Sequence, residues 1–571
     1  MTTSAHRWHL MHPPLARTVL QSAPPLTPLQ VQLLTHRGVT DPTRMRQWLA
    51  ADVGLLSAPE TLPDIDRAVA RLRLALTTGE GIGVVGDCDA DGLTATAIIM
   101  ETLATLGAGP VPFFVAPRID DGRGLTMAAV AAMVAAQVRV CVTVDNGSSS
   151  VDEVAALHAQ GIDTIITDHH HLPEIAPAAY AIVNPQRPDA RTPASELSGA
   201  GVALQVARAL LGAQDLSLPP LAGLVELAGL GTLADAVALD AENHTLVKLA
   251  LRQMTRQPRP GISALLRLLN LNLDRLGPRD LSFAIAPRLN AAGRVGDPAV
   301  ALRLLLATDE ATAADYAHQL DALNVARQQQ TESMLDEAYT QARAQVAQGE
   351  PIIFIQHADW PMGLVGLVAG RMADEFERLA VVVALHGAAC RASLRGPRWF
   401  HIAEALATCD PPLAQFGGHA QAGGFSAPIT QLPAIHQQLS AAYARALQEG
   451  THAEILPLQV DAEMPLNRIT PDYARQVQAL APFGAQFSEP LFVTTKVRIT
   501  KTWSVADRHL KFNAEQQNER RSFFWRNGLA EAAQLATAGS VDIVWRMPTN
   551  LYASSAPEPT VVAVMPTDDP A

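Results

Sequence analysis

Between residues 81 and 185, short apolar runs alternate with alanine-rich stretches of helical spacing. "GIGVVGD" precedes the helix-like 93–107, "VPFFVAP" precedes "MAAVAAMVAA", and "VRVCVTVDNG" precedes "VDEVAALHAQ"; "DTIITDHHH" and "YAIVNP" continue the series. Strands that are apolar on nearly every residue are covered on both faces, and strands joined through helices run parallel. The pattern therefore predicts an α/β fold built on a parallel sheet. In such sheets ligands bind beyond the carboxyl ends of the strands. The polar clusters at 87–91, 145–147 and 168–171 all fall at those ends.

A chain of 571 residues is too long for one core. The predicted organisation is a helical segment at 1–52, the parallel-sheet unit at 53–310, a connecting helix at 311–348, a second α/β unit at 349–450 and a strand-rich unit at 451–571. The connecting segment contains neither Gly nor Pro. Unbroken, it would reach about 55 Å. The second α/β unit opens with "PIIFIQ" and carries "LAVVVAL" and "GGHAQAGGFS". The last unit has some five strands, among them "LFVTTKVRITKTW" and "RHLKFNAEQ", which suits a small barrel.

The first 30 residues are broken by Arg7, Pro13, Pro14 and Arg17, so no secretory signal is expected. The most apolar stretch, 221–239, contains Glu226 and Asp235, which argues against a membrane span. Cys88, Cys141, Cys390 and Cys409 show no C-x-x-C pairing; reduced thiols and a cytoplasmic location are expected. The net charge of −13 alone would count against a nucleic-acid partner. It is an average. Between 496 and 526, eight basic residues face three acidic ones, with Trp503, Phe512, Phe523, Phe524 and Trp525 interleaved. Aromatic platforms with basic neighbours suit single strands. Lys496, Arg498, Lys501, Trp503 and Lys511 are the candidate strand contacts, and Phe512 with at least one of Phe523–Trp525 is assigned to the barrel core.

"DCDADG" (87–92) opens like a calcium loop, D-x-D-x-D-G, but the twelfth position is Ile98 rather than a bidentate Glu. The calcium loop fails. A spacing of two instead puts Asp87 and Asp89 on one side, with Cys88 facing the other way. Asp145, Asp168, His169, His170 and Asp235 are the candidate partners. Carboxylates with imidazole suit Mn²⁺ or Mg²⁺, and several around two ions would form a two-metal hydrolase site. Asp91 reads as the N-cap of a helix starting near Leu93.

"DCDADG", "VDNG", "DHH" and "GTLAD", in this order, resemble the motifs of the DHH phosphoesterase superfamily. "APRLNAAGR" (286–294) and "GGHAQAGGFS" (417–426) narrow the resemblance to the RecJ single-strand-specific exonucleases, which carry a second, DHHA1-type domain and an OB-fold. The resemblance runs from about "LLTHRGV" to the end. It implies that Asp87, Asp89, Asp145, His169 and Asp235 hold two divalent ions, with Asp168 and His170 orienting the site and His170 supplying a proton to the leaving oxygen. It places Arg288 and Arg294 near substrate phosphates. It assigns Arg118, Ser393 and Arg395 to a 5′ terminal phosphate, and Gly417, Gly418 and His419 to a close backbone approach to phosphate. The implied activity is 5′-to-3′ hydrolysis of single-stranded DNA to 5′ mononucleotides in recombination and repair. The implied partners are a helicase and a single-strand-binding protein, with no membrane and a monomeric enzyme. Polarity is carried by the resemblance alone.

Four departures from the family pattern stand out. Cys88 replaces an aromatic, Arg123 stands where a base-contacting ring is usual, Pro361 replaces a frequent histidine, and Gln486, Phe487 and Ser488 replace a common Gly-Asn-Pro. None removes a metal ligand; those at 123 and 486–488 bear on the strand channel. Two competing readings stand beside this one. One is a DHH phosphodiesterase acting on short oligonucleotides or cyclic dinucleotides, which the barrel and the chain length disfavour. The other is a catalytically silent replication scaffold, which would be expected to lose the acidic ligands that are present here.

Overall fold

The computed structural model describes residues 8–11, 25–117, 124–190, 196–213, 215–216, 219–413, 415–450, 457–537, 539–548 and 557–567. After a short strand β1 (Trp8–Leu10) and helix α1 (Pro28–His36), the first sheet comprises β2 (Ile82–Gly86), β3 (Phe113–Val115), β4 (Val140–Val144), β5 (Asp163–Thr167) and β6 (Ala181–Val183). Its order is β3-β2-β4-β5-β6, and every pairing is parallel. The chain moves outward from β2 to β3 and then returns to the other side at β4. That reversal lies between β2 and β4, where an open parallel sheet forms its ligand crevice.

Helices α2 (Ala90–Thr105), α3 (Met127–Ala135) and α4 (Val151–Ala159) alternate with these strands. α5 (Gly199–Leu211) and α6 (Leu221–Asp235) pack on α2, and α7 (Ala241–Arg256) packs on α6. α2 is buried along nearly its whole length, as expected of a helix with strands on one side and helices on the other. α8 (Ala286–Val295) follows, then the continuous 38-residue helix α9 (Glu310–Ala347), N-capped by Asp309.

The second unit is a five-stranded mixed sheet ordered β10-β11-β9-β8-β7, from β7 (Ile353–His357), β8 (Ala380–His386), β9 (Ala389–Arg395), β10 (Gln415–Gly418) and β11 (Ala422–Pro428). Helix α10 (Val365–Phe376) lies against β8 and β9. After β12 (Leu458–Val460), which pairs with β1, the last unit contains β13 (Ala462–Glu463), β14 (Leu491–Val505), β15 (His509–Gln516), β16 (Glu519–Trp525), β17 (Val541–Arg546) and β18 (Thr560–Pro566). A β14–β17 pairing closes this sheet on itself as the OB-type barrel. Closure removes the open edges that a flat sheet would expose.

One core runs across unit boundaries. Leu33, Leu34, Met45 and Trp48 from the N-terminal segment share it with Leu239 and Val247 and with the barrel residues Phe512, Phe523 and Trp545. His244 on α7 bonds the Leu480 carbonyl at 2.8 Å, and Lys248 Nζ donates to the Ala479 carbonyl at 2.6 Å. Burial lowers the His244 pKa to about 3, so this imidazole is neutral, and its ring lies 4.8 Å from Trp48 and 5.0 Å from Phe487. Phe487 is 1% exposed. The Ser488 carbonyl accepts from Arg37 Nε at 2.9 Å. The departure at 486–488, read from sequence as bearing on the strand channel, therefore sits in the joint between the barrel and the parallel-sheet unit. Phe487 packs there against Trp48, His244 and Phe483.

Candidate metal centre and phosphate sites

Asp87, Asp145 and Asp168 each follow the last residue of a strand, and those strands are neighbours in register. Gly86 pairs with Val144, and Val144 with Thr167. Three carboxylates are thus delivered side by side to the crevice. Asn146 ties two of the strand ends together: its Nδ2 donates to Val85 O at 3.1 Å and Val144 O at 2.7 Å. Asp145 itself adopts φ 60°, a left-handed conformation that Asp tolerates better than most residues.

His169 Nε2 lies 3.1 Å from Asp145 Oδ1, 3.7 Å from Asp235 Oδ2 and 3.9 Å from Asp91 Oδ2. Oxygens of Asp87, Asp89 and Asp145 lie within 4.8 Å of one another, as do ligand atoms of Asp145, His169 and His170 and of Asp91, His169 and Asp235. Burial raises the Asp145 carboxyl well above its ordinary range, and the charges of Asp91, Asp89 and Asp87 raise it further. So many carboxylates around one point are unfavourable without a cation. Asp145 Oδ1 and His169 Nε2 are both buried, and neither has a hydrogen-bond partner among the described residues. Oxygen-rich donors, one imidazole and two orphaned ligand atoms fit Mn²⁺ or Mg²⁺.

Asp91 does not cap its helix. α2 begins at Ala90, and Asp89 is the N-cap, accepting from Gly92 N at 3.3 Å. Asp91 turns inward, and its two oxygens accept the backbone N–H groups of Gly199 (2.7 Å) and Ala200 (3.0 Å) at the start of α5. Two glycines permit this packing. A Cβ at Gly199 would lie 2.5 Å from Asp145 Cβ, and one at Gly231 would lie 2.5 Å from Asp91 Oδ1.

Asp168 is saturated with donors. Its Oδ1 accepts from His169 N (2.8 Å), His170 N (3.2 Å) and His170 Nδ1 (2.7 Å), and its Oδ2 accepts from Ser148 N (3.0 Å). Burial alone would raise its pKa, but the His170 hydrogen bond and charge hold it well below the usual carboxylate range. Conversely, burial would lower His170, yet the bond to Asp168 and the Asp168 charge raise it to about 9. His170 is thus a protonated, half-exposed imidazole held by a buried carboxylate. Asn184 supports it from behind, donating from Nδ2 to His170 O and to Ser148 Oγ, each at 2.9 Å.

His419 comes from the second α/β unit to face this cluster, its ring centroid 5.7 Å from that of His171. Gly417 and Gly418 lie on the exposed edge strand β10. Ser393 and Arg395 lie on β9, where Arg395 Nη1 donates to Ser393 Oγ at 3.3 Å. A Cβ at Gly366, in the first turn of α10, would lie 3.1 Å from Ser393 Oγ. A helix N-terminus, a hydroxyl and a guanidinium therefore converge, which is the chemistry of an anion site. Arg294 Nη1 donates to Gly363 O at 2.8 Å, just ahead of α10. Arg288 is tied instead to Asp321, at 2.9 Å from Nε and 2.8 Å from Nη2, and to Ala284 O at 2.8 Å. Arg118 and Arg123 lie outside the described residues.

On the barrel, Trp503, Lys511 and Phe524 form one cross-strand row of β14, β15 and β16. Lys501 sits 5.9 Å from the Trp503 ring centroid, and Lys511 lies 5.9 Å from that of Phe524 and 2.8 Å from Glu558. Arg498 pairs with Glu515 at 3.4 Å, and Lys496 lies at the bulge in β14 with φ 53°. Phe512 and Phe523 are fully buried.

Sequence reading missed Asn146, Asn184 and Asn290. Asn290, in the "RLNAAGR" run, accepts the Ala90 N–H at 2.7 Å through Oδ1. A strand followed at once by Asn184, and the "VDNG" run for Asn146, were the available signals. Asn290 lies inside the "APRLNAAGR" motif, but nothing in its spacing shows that it bonds Ala90.

Three family models match the chain: the DHH family N-terminal domain over residues 81–232, the DHHA1 domain over 349–445 and the RecJ OB domain over 460–556. Among curated relatives, the single-stranded-DNA-specific exonuclease RecJ of Escherichia coli (strain K12) is 34% identical over 510 residues, covering 86% of this chain and 87% of its own. That of Dickeya dadantii (strain 3937) is 36% identical over 525 residues, covering 88% and 89%. Among solved structures, RecJ of Thermus thermophilus in complex with Mn²⁺ superposes with a TM-score of 0.82 at 28% identity, covering 100% of this chain and 81% of that one. The same protein with Mg²⁺ gives 0.74 at 26%, covering 99% and 79%.

Proposed function

The chain belongs to the RecJ family of single-stranded-DNA-specific exonucleases, and we propose that it removes nucleotides from the 5′ end of the strand in recombination and repair. It is a single-strand-specific exonuclease that uses divalent cations. The observation that carries the site assignment is the orphaned Asp145–His169 pair, 3.1 Å apart and ringed by further carboxylates.

In this reading Asp87, Asp89, Asp145, His169 and Asp235 hold the cations, and Asp91 does not, because both its oxygens are already bonded to α5. Bound there, divalent ions supply Lewis acidity to the phosphoryl oxygens and lower the pKa of a bound water. Asp168 keeps His170 protonated and aimed, so that the imidazolium gives its proton to the leaving 3′ oxygen. Breaking that bond releases a 5′ mononucleotide and leaves a new 5′ phosphate on the shortened strand. Ser393, Arg395 and the first turn of α10 receive that phosphate; Arg118, assigned to it by resemblance, lies outside the described residues. Gly417, Gly418 and His419 close the cleft from the opposite unit, and Arg294 braces the joint between the two. A pocket for a terminal phosphate dictates both end-dependence and polarity. The barrel row of Trp503 and Lys511, with Lys496, Arg498 and Lys501 beside it, grips the strand further along.

Product analysis tests this directly. Single-stranded DNA labelled at either end is offered with Mn²⁺, beside a duplex and a dinucleotide. Early release of 5′ mononucleotides from the long single strand alone is the expected result. Cleavage confined to the dinucleotide would move the protein to small substrates, and release from the 3′ end would overturn the terminal-phosphate assignment.

A further inference from the structure

Helix α8 is anchored in both α/β units at once. Leu289 and Ala292 belong to the core of the parallel-sheet unit, whereas Val295, its last residue, packs against the core that holds Trp360, Leu364 and Val365 of the second unit. Asn290, Gly293 and Arg294 fall on one face of α8, at i, i+3 and i+4. Asn290 Oδ1 accepts the Ala90 N–H at 2.7 Å. A Cβ at Gly293 would lie 2.6 Å from Cys88 O, so α8 rests directly on the backbone of the loop that carries Asp87 and Asp89.

The far end of the same face holds α10. Arg294 Nη1 donates to Gly363 O at 2.8 Å, and a Cβ at Gly363 would lie 2.6 Å from Arg294 O. Backbone meets backbone there, two residues before α10 begins. Gly366, in the first turn of α10, lies against Ser393 and Arg395. One helical turn, about 6 Å along the axis, thus separates the grip on the carboxylate loop from the grip on the anion site. Contacts this close leave no void to absorb a shift.

We propose that α8 is the ruler of the reaction. It fixes the spacing between the cations and the terminal phosphate, and so sets the product at one nucleotide, with Asn290 and Gly363 as positioning residues at its two ends. This rests on the end-pocket reading above. A strand held by its 5′ phosphate presents only the phosphodiester at the ruler's length, and a misplacement of ~1 Å takes that bond out of line with the attacking water.

Paired substrates separate a ruler from plain structural support. Oligothymidylates bearing a 5′ phosphate or a 5′ hydroxyl are digested with Mn²⁺, and kcat/KM and the length of the first product are recorded for each. The wild type is expected to favour the phosphorylated strand and to release mononucleotides. Gly363→Ala forces the start of α10 away from α8. The phosphorylated strand should then lose ~10–100-fold in kcat/KM and yield dinucleotide beside mononucleotide, while the hydroxyl strand keeps its rate. Asn290→Ala loosens the other end and should slow both substrates equally, with the preference kept. Gly370→Ala, further along α10 where nothing lies within 4 Å, is the control and should match the wild type. A folded Gly363→Ala with the wild-type preference and mononucleotide products overturns the proposal, as does one that slows both substrates equally. Should that variant not fold, Val295→Ala takes its place, and an unchanged preference there overturns the proposal. A wild-type protein with no preference for the phosphorylated strand would instead overturn the end-pocket reading beneath it.

Discussion

The carboxylate of Asp91 caps a helix other than its own, accepting the Gly199 N–H at 2.7 Å from Oδ2 while Oδ1 takes the Ala200 N–H. A residue in the first turn of α2 thereby anchors the start of α5, and α5 in turn presses Gly199 against Asp145. Asp91→Asn would set an amide N–H against the Gly199 N–H. The expected loss is ~1–3 kcal/mol of stability, the cost of leaving one buried donor without its acceptor. Urea unfolding of the two proteins at neutral pH measures it.

Gly199 is where the fold and the site meet. Its missing Cβ leaves room for Asp145, since the atom would otherwise lie 2.5 Å from Asp145 Cβ. Gly199→Ala should push Asp145 aside and reduce exonuclease turnover by ~10–100-fold, the cost of losing a residue that orients a metal ligand. Gly109→Ala, where nothing lies within 4 Å, is the control and should leave turnover unchanged. Equal turnover in the two variants would remove Asp145 from the metal set.

Cation binding should register as stability. The crowded carboxylates around Asp145 repel one another, so a cation that binds only the folded chain stabilises it by ~2.7 kcal/mol at a concentration 100 times its dissociation constant. Mn²⁺ is expected to raise the unfolding midpoint and EDTA to reverse the rise. In Asp145→Asn the Mn²⁺-dependent rise should disappear.

Glu226, buried in α6, has its pKa raised to about 7 by burial, against the opposing charge of Arg259 and the Arg259 N–H. The ordinary value is 4.5. Between the two, the folded chain keeps a proton that the unfolded chain has released, so stability falls as pH rises from 4.5 to about 7 and is level above. Glu226→Gln removes this slope and should be more stable than the wild type at pH 8 by up to about 3 kcal/mol. Unfolding midpoints at pH 5 and pH 8 give the comparison.

On the barrel, two aromatics should respond in opposite ways. Trp503→Ala is expected to weaken single-strand binding by ~1–3 kcal/mol, the value of one stacked base, with little change in unfolding. Phe512→Ala, at a fully buried ring 5.6 Å from Phe523, should cost ~3–5 kcal/mol of stability instead. Anisotropy and thermal unfolding distinguish the two losses.

The parallel sheet was legible because burial on both faces leaves a local imprint: apolar runs of strand length, each ending in a polar cluster. The order of "DCDADG", "VDNG", "DHH" and "GTLAD" carried the family in the same way, since each motif is contiguous and its spacing is local. From those residues alone came the carboxylate set, the histidines and the barrel's basic, aromatic character. The tertiary structure decided which acid does what. Asp89 took the capping part predicted for Asp91, because Asp91 is drawn to α5, which starts more than a hundred residues later and offers two free N–H groups. Arg288, a phosphate contact by resemblance, is also bonded to Asp321 on α9, a partner that local spacing does not reveal. The departure at 486–488 reads as bearing on the strand channel, and Phe487 sits in the joint between barrel and parallel-sheet unit. In each case the deciding partner is distant in sequence, and hydrogen bonds, ion pairs and close packing depend on distance in space, which local spacing does not encode.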